Sequence, residues 1–163
     1  METGFEPDAL ACSGAWEGNV TPQQADVEAQ LALDFAPFVG AGADFSFVGK
    51  SDDADNGPFT SNPMDTTGTL NFDVPITGFF AVALKAGDAF SVYLFDGGVA
   101  GLTSIDYSTL GVSVNQDGQA QDLSHATLIS VGPFAAPIPE PETYALMLAG
   151  LGVVGFVARR RKR

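Results

Sequence analysis

Sixteen consecutive residues without a charge, Thr143 to Ala158, run directly into five bases, Arg159, Arg160, Arg161, Lys162 and Arg163. No other stretch constrains the chain as tightly. At a helical rise of about 1.5 Å per residue the run spans roughly 24 Å, short of the about 30 Å hydrocarbon core of a bilayer. Basic side chains that reach to the interface make up the difference. A core helix of a soluble domain separates a polar from an apolar face, whereas this run is apolar all round. It predicts one transmembrane helix over 143–158. Residues 159–163 then form a basic cytoplasmic tail that sets the orientation, because clustered Lys and Arg stay on the cytoplasmic side. The body of the chain is expected on the opposite side of the membrane.

Just ahead of the run stands Pro139-Glu140-Pro141, inside a Pro-rich linker over 133–142. Proline has no amide donor and restricts the residue before it, so the triplet stays out of helix and sheet. A Pro-Glu-Pro triplet, an apolar segment rich in Leu, Ala and Gly, and a terminal arginine cluster together resemble the PEP-CTERM sorting signal. That signal is carried by exported proteins of Gram-negative bacteria that make exopolysaccharide. The resemblance implies an exosortase-type processing protease as partner, with Pro139, Glu140 and Pro141 as its processing motif. It also implies transient anchoring in the inner membrane, delivery to the cell surface or extracellular matrix, and an association with exopolysaccharide or biofilm. Met1 to Leu10 has neither a basic nor an apolar leader region, so a signal peptide is expected upstream of this sequence.

The rest of the chain has room for one domain. Eighteen of the 20 acidic residues precede residue 139, against Lys50, Lys85 and one histidine, His125. Such a body repels phosphate backbones, which excludes nucleic acid as a partner. Acidity of this degree also accompanies disorder, but thirteen phenylalanines supply enough apolar surface for a core. Cys12 stands alone, so no internal disulfide forms. The Ala9-Leu10-Ala11-Cys12 run fails as a lipoprotein box, because Glu6, Pro7 and Asp8 occupy the place of its apolar region.

Residues 1–30 read as a turn-rich leading segment. Within it Asn19-Val20-Thr21 fits a glycosylation sequon, although an ordinary polar turn explains it as well. Thr21 and Gln24 suggest a capping box, with Pro22 at the first position of a short helix to about Gln30. From Leu31 the period changes to two, with Leu31, Leu33 and Phe35 on one face of an extended segment. The alternation returns over 44–48 and 69–74, while 79–85 and 90–95 are apolar on both faces, as central strands are. Shorter strands are expected over 103–107, 111–115 and 125–131. The fold class is therefore all-β: a single β-sandwich or jelly-roll-like domain over 31–132, followed by the Pro-rich linker and one C-terminal transmembrane helix. Residues 79–95 and 123–128 are also similar to the β-rich ectodomain often found ahead of this sorting tail. That resemblance implies an exported surface protein and no particular chemistry.

Candidate sites in the body are few. His125 lacks the nucleophile context of a hydrolase and is expected to cap or hydrogen-bond a strand edge beside Ser124. One histidine and one cysteine do not make a zinc site. Asp52, Asp53 and Asp55 supply the hard oxygens that calcium takes, yet miss the EF-hand spacing; calcium is the one cofactor candidate, and otherwise none is expected. Trp16, Tyr93 and Tyr107 are the aromatics available for stacking on sugars, with core packing as the alternative. Two functions stay open: a non-enzymatic, structural surface or matrix protein, and a carbohydrate- or calcium-dependent binding module carrying the same tail. No enzyme activity is expected.

Overall fold

Strands that are apolar on both faces belong in the interior of a sheet, and the two runs of that kind lie there. The computed structural model describes residues 7–132. Its strands are β1 (Ala11–Glu17), β2 (Phe45–Lys50), β3 (Thr67–Ile76), β4 (Phe79–Ala86), β5 (Ala89–Asp96), β6 (Leu102–Ser108) and β7 (Leu123–Val131). Two helices, α1 (Gln24–Asp34) and α2 (Ala36–Val39), lie between β1 and β2. Five strands form one antiparallel sheet in the order β1-β5-β4-β7-β2, and β3 pairs with β6 as a separate ribbon. The described residues are thus mostly β strands in sheets with few helices.

The β4 sequence explains the layering. Side chains alternate across a strand. Phe80, Val82 and Leu84 enter one core with Leu70, Phe72, Ile105 and Tyr107 of the ribbon. Ala81 and Ala83 enter the other with Val27, Leu31 and Phe35 from the helical segment. Large residues thus fill the wide gap to the ribbon, and small ones let the helix come close. An aromatic chain runs through the ribbon side, Phe59 to Phe72 to Phe80 to Phe95, with centroids 5.6, 5.6 and 5.5 Å apart. Such pairs contribute about 0.5–1.5 kcal/mol each beyond the area they bury.

Several expectations need correction. The stretch from Leu31 is helical, because Val27, Leu31 and Phe35 recur every four residues and all three are buried, while Leu33 is 71% exposed. Four-residue spacing therefore outweighs the local alternation. The Thr21–Gln24 capping box does not form; Thr21–Gln23 makes a single 3₁₀ turn with Pro22 at its start and no side-chain cap. The stretch at Ala11–Glu17, read as turns, is a strand of the main sheet. Residues 111–115 do not pair as a strand beyond a single bridge from Val114 to Ala120. There the Asn115 carboxamide oxygen accepts the amides of Asp117 and Gln119 at 3.0 and 2.9 Å, which turns the chain instead.

Among the described residues no helix is long and apolar enough to cross a membrane. The expected linker over 133–142, the helix over 143–158 and the basic tail over 159–163 lie outside the described residues, and with them Pro139, Glu140, Pro141 and Arg159 to Arg163.

Candidate functional site

Cross-strand neighbours share a face of a sheet, and register alone places four side chains in one row. Trp16 of β1 pairs with Phe90 of β5, Phe90 with Lys85 of β4, and Lys85 with His125 of β7. The row lies on the helix-facing side, at the end of the sheet where the apolar core stops. Trp16 is half-buried and stacks on Phe90, with centroids 6.0 Å apart and planes 8° from parallel. Lys85 is only 6% exposed, and its ammonium donates to the carbonyl oxygen of Gly87.

Three β-bulges converge on this end. One extra residue between Ser13 and Trp16 turns the indole onto the helix-facing side. In β2 the extra residue is Val48: Phe47 pairs with Ile129 and Gly49 with Leu128. That insertion moves Lys50 opposite Thr127 and onto the face of His125; an unbroken alternation from Phe45 and Phe47 would point it away. The third bulge makes Ser124 the extra residue opposite Lys85–Ala86. Bulges re-aim side chains and gather beside functional sites.

Beyond β2 the chain folds over the row. Ser51 is fully buried; its hydroxyl donates to Asn62 Oδ1 at 2.6 Å and accepts the Ala126 amide at 2.8 Å. Asp53 Oδ2 accepts the Lys50 amide at 2.8 Å. Gly57 closes the loop at φ +58°, where a Cβ would sit 2.5 Å from the Lys50 carbonyl oxygen. These bonds set Asp52 Oδ2 3.5 Å from His125 Nδ1 and Asp52 Oδ1 3.2 Å from Lys50 Nζ, with Asp53 Oδ1 3.8 Å from the same ammonium. Half-exposed ion pairs contribute under about 1 kcal/mol, so the hydrogen bonds hold the loop and the charges decorate it. On the opposite rim, Gln23 Nε2 donates to the carbonyl oxygens of Glu17 and Asn19 at 2.7 and 3.1 Å and fixes that turn.

Between these walls lies a cavity of about 390 Å³ lined by Asn19, Thr21, Pro22, Lys50, Asp52, Lys85, Ser124 and His125. Its size falls in the range of small-molecule sites. Both lysines and the single histidine of the described residues meet in it. The His125 imidazole is held below its ordinary pKa, chiefly by burial; Asp52 opposes that shift, and Lys50 and Lys85 reinforce it. The ring is therefore neutral near pH 7. One register step inward, the Thr127 hydroxyl is buried without a hydrogen-bond partner among the described residues.

The expected site residues fare differently. His125 lies on an interior strand and faces an acid, where a strand edge was expected. Among the described residues no hydroxyl or thiol hydrogen-bonds its ring. Asp52 and Asp53 turn to Lys50 and His125, Asp55 lies in the following turn, and no group of three or more His, Cys, Asp or Glu converges to hold a metal ion among the described residues. Tyr93 and Tyr107 are buried, at 6% and 2% exposure, so they pack the core and offer no platform for sugars. Burial pushes the Tyr93 phenol up to about 12. Lys50 and Lys85 entered the sequence reading only through the charge balance, not as site residues. Their scarcity was the available signal: the two cations of so acidic a body are conspicuous only once register brings them together.

The family model of the PEP-CTERM protein-sorting motif matches residues 137–162. The chain thus carries the sorting signal that its Pro-Glu-Pro triplet, apolar run and arginine cluster resemble. The signal implies an exported protein that is recognised by an exosortase and anchored at the membrane in transit by its tail. None of the described residues falls within the match. No curated protein and no solved structure matches the chain.

Proposed function

We propose that this chain is a non-enzymatic cell-surface or matrix protein, delivered by exosortase processing and associated with exopolysaccharide. The observation that carries the reading is the sorting motif at 137–162, joined to a body whose acids far outnumber its bases. On this reading the β-sandwich body, a five-stranded sheet against a two-stranded ribbon, is held briefly at the inner membrane by residues 143–158. Moving five cations across the bilayer is very costly, so Arg159 to Arg163 keep the triplet on the outer side. A membrane-embedded protease then cuts near Pro139, Glu140 and Pro141, where proline disfavours helix and sheet.

The test replaces those three residues by alanine in a host that has the processing enzyme. The variant is expected to keep its tail and remain in the inner membrane fraction. A variant that still loses the tail and reaches the surface unchanged overturns the reading. For the body, the cavity beside His125 favours a second reading, a carbohydrate-binding module on the same tail. The calcium-dependent form of that reading is weakened by the turn of Asp52 and Asp53 toward Lys50. Retention on polysaccharide columns with and without millimolar calcium separates the two.

A further inference from the structure

We propose that the cavity at the His125 end of the sheet is a binding site for a single carboxylate carried by a small hydroxylated molecule, a sugar acid in class. Lys85 and Lys50 supply the charge, and Asn19, Thr21 and Ser124 the hydrogen-bonding rim. The inference rests on the carbohydrate-binding reading of the body, whose substrate class it names, and does not depend on the tail.

Lys85 carries the argument. It is buried, and among the described residues no carboxylate lies within 4 Å of its ammonium. Burying a charge is costly unless it is paired. The Gly87 carbonyl takes one of three N–H donors and brings no counter-charge. In a body this acidic, an unpaired buried lysine marks a place kept for an outside anion.

The neighbouring charges limit what that anion is. Lys50 is already matched by Asp52, which lines the cavity with it. With His125 neutral, the lining carries one surplus positive charge, enough for a monoanion. Asp52, and Asp53 behind it, repel a dianion such as phosphate. The remaining wall is uncharged: an amide at Asn19, hydroxyls at Thr21 and Ser124, and the Pro22 ring. Amide and hydroxyl groups match the hydroxyls of a polyol, and a proline ring offers an apolar face to its C–H surface.

Isothermal titration of the full-length chain in mild detergent, at fixed ionic strength, tests this with sodium glucuronate, glucose and inorganic phosphate. Saturable glucuronate binding is expected, at least about tenfold tighter than either competitor, a decade being about 1.4 kcal/mol. Lys85→Met should weaken it by about tenfold or more. Asp52→Asn should tighten it by about threefold, because it removes a repelling charge; a merely structural role for Asp52 predicts the opposite. Lowering the pH through the folded pKa of His125, which lies below 6.5, should also tighten binding, as the ring, facing Asp52, Asp53, Lys50 and Lys85, gains a proton. A triuronide that binds more tightly than the monomer identifies a polymer end as the ligand; equal affinity identifies the free acid. The proposal fails if glucuronate shows no saturation, if glucose or phosphate binds equally well, or if folded Lys85→Met binds within twofold of the parent. Weaker binding by folded Asp52→Asn defeats it too.

Discussion

Leu31→Ala and Leu33→Ala together decide whether the segment after the first strand is a helix in solution. An extended segment puts both leucines on one face, and the two truncations would then cost similar amounts. In α1, Leu31 is fully buried between Val27 and Phe35, whereas Leu33 is 71% exposed. Truncating a buried leucine costs about 2–5 kcal/mol, depending on how far the site collapses. Here little is at hand to fill the gap: Phe35 and Phe45 already pack against each other, 6.0 Å apart, and β4 offers only the small side chains of Ala81 and Ala83. The cost is therefore set at about 3 kcal/mol. Exposed Leu33 should change stability by less than about 0.5 kcal/mol, and alanine is as good a helix former as leucine. Urea unfolding followed by circular dichroism measures both, with an unchanged m-value confirming that only stability moved. At roughly 3–5 °C per kcal/mol for a domain of this size, Tm falls about 9–15 °C for the first variant and under about 3 °C for the second. Equal losses, or a larger loss for Leu33→Ala, refute the helical account.

Two further predictions rest on buried titratable groups. The folded pKa of His125 lies below its unfolded value of 6.5, so the unfolded chain binds the proton first; stability is full above 6.5 and falls as pH drops from there through the folded pKa. A pH series of unfolding curves should show His125→Gln losing that part of the dependence, and a variant as pH-sensitive as the parent counts against the buried, neutral imidazole. Tyr93 is shifted the other way, to about 12, so its contribution is intact below 10.0 and is lost as pH rises toward 12. Absorbance titration should show a step near 12 that Tyr93→Phe removes; a Tyr93→Phe variant that instead loses a step at the ordinary tyrosine value contradicts the packing.

The sheet was legible in the sequence where burial is two-sided or cleanly alternating. Residues 79–85 and 90–95 became β4 and β5, and the Leu70, Phe72 alternation became β3. The sequence misled where two periods overlap: Leu31 and Phe35 fit both a strand and a helix, and only Val27, one turn earlier, decides. The site was hidden for a different reason. Lys50 and His125 meet only because an extra residue at Val48 shifts the face of β2, and no local pattern reports a bulge. Asp52 was noticed as a candidate calcium ligand; what it faces depends on the fold of the loop that Ser51 and Gly57 fix. The tail was the opposite case, since its triplet, apolar run and bases are contiguous and need no fold to be read.

The central claim is that the chain is handed to an exosortase and cut at its tail. Mass spectrometry of the mature protein recovered from the surface and medium of a host with the processing enzyme tests it most directly. The account predicts a polypeptide that ends near Pro139-Glu140-Pro141 and lacks residues 143–163. Recovery of the mature surface protein with Arg159 to Arg163 still attached contradicts it.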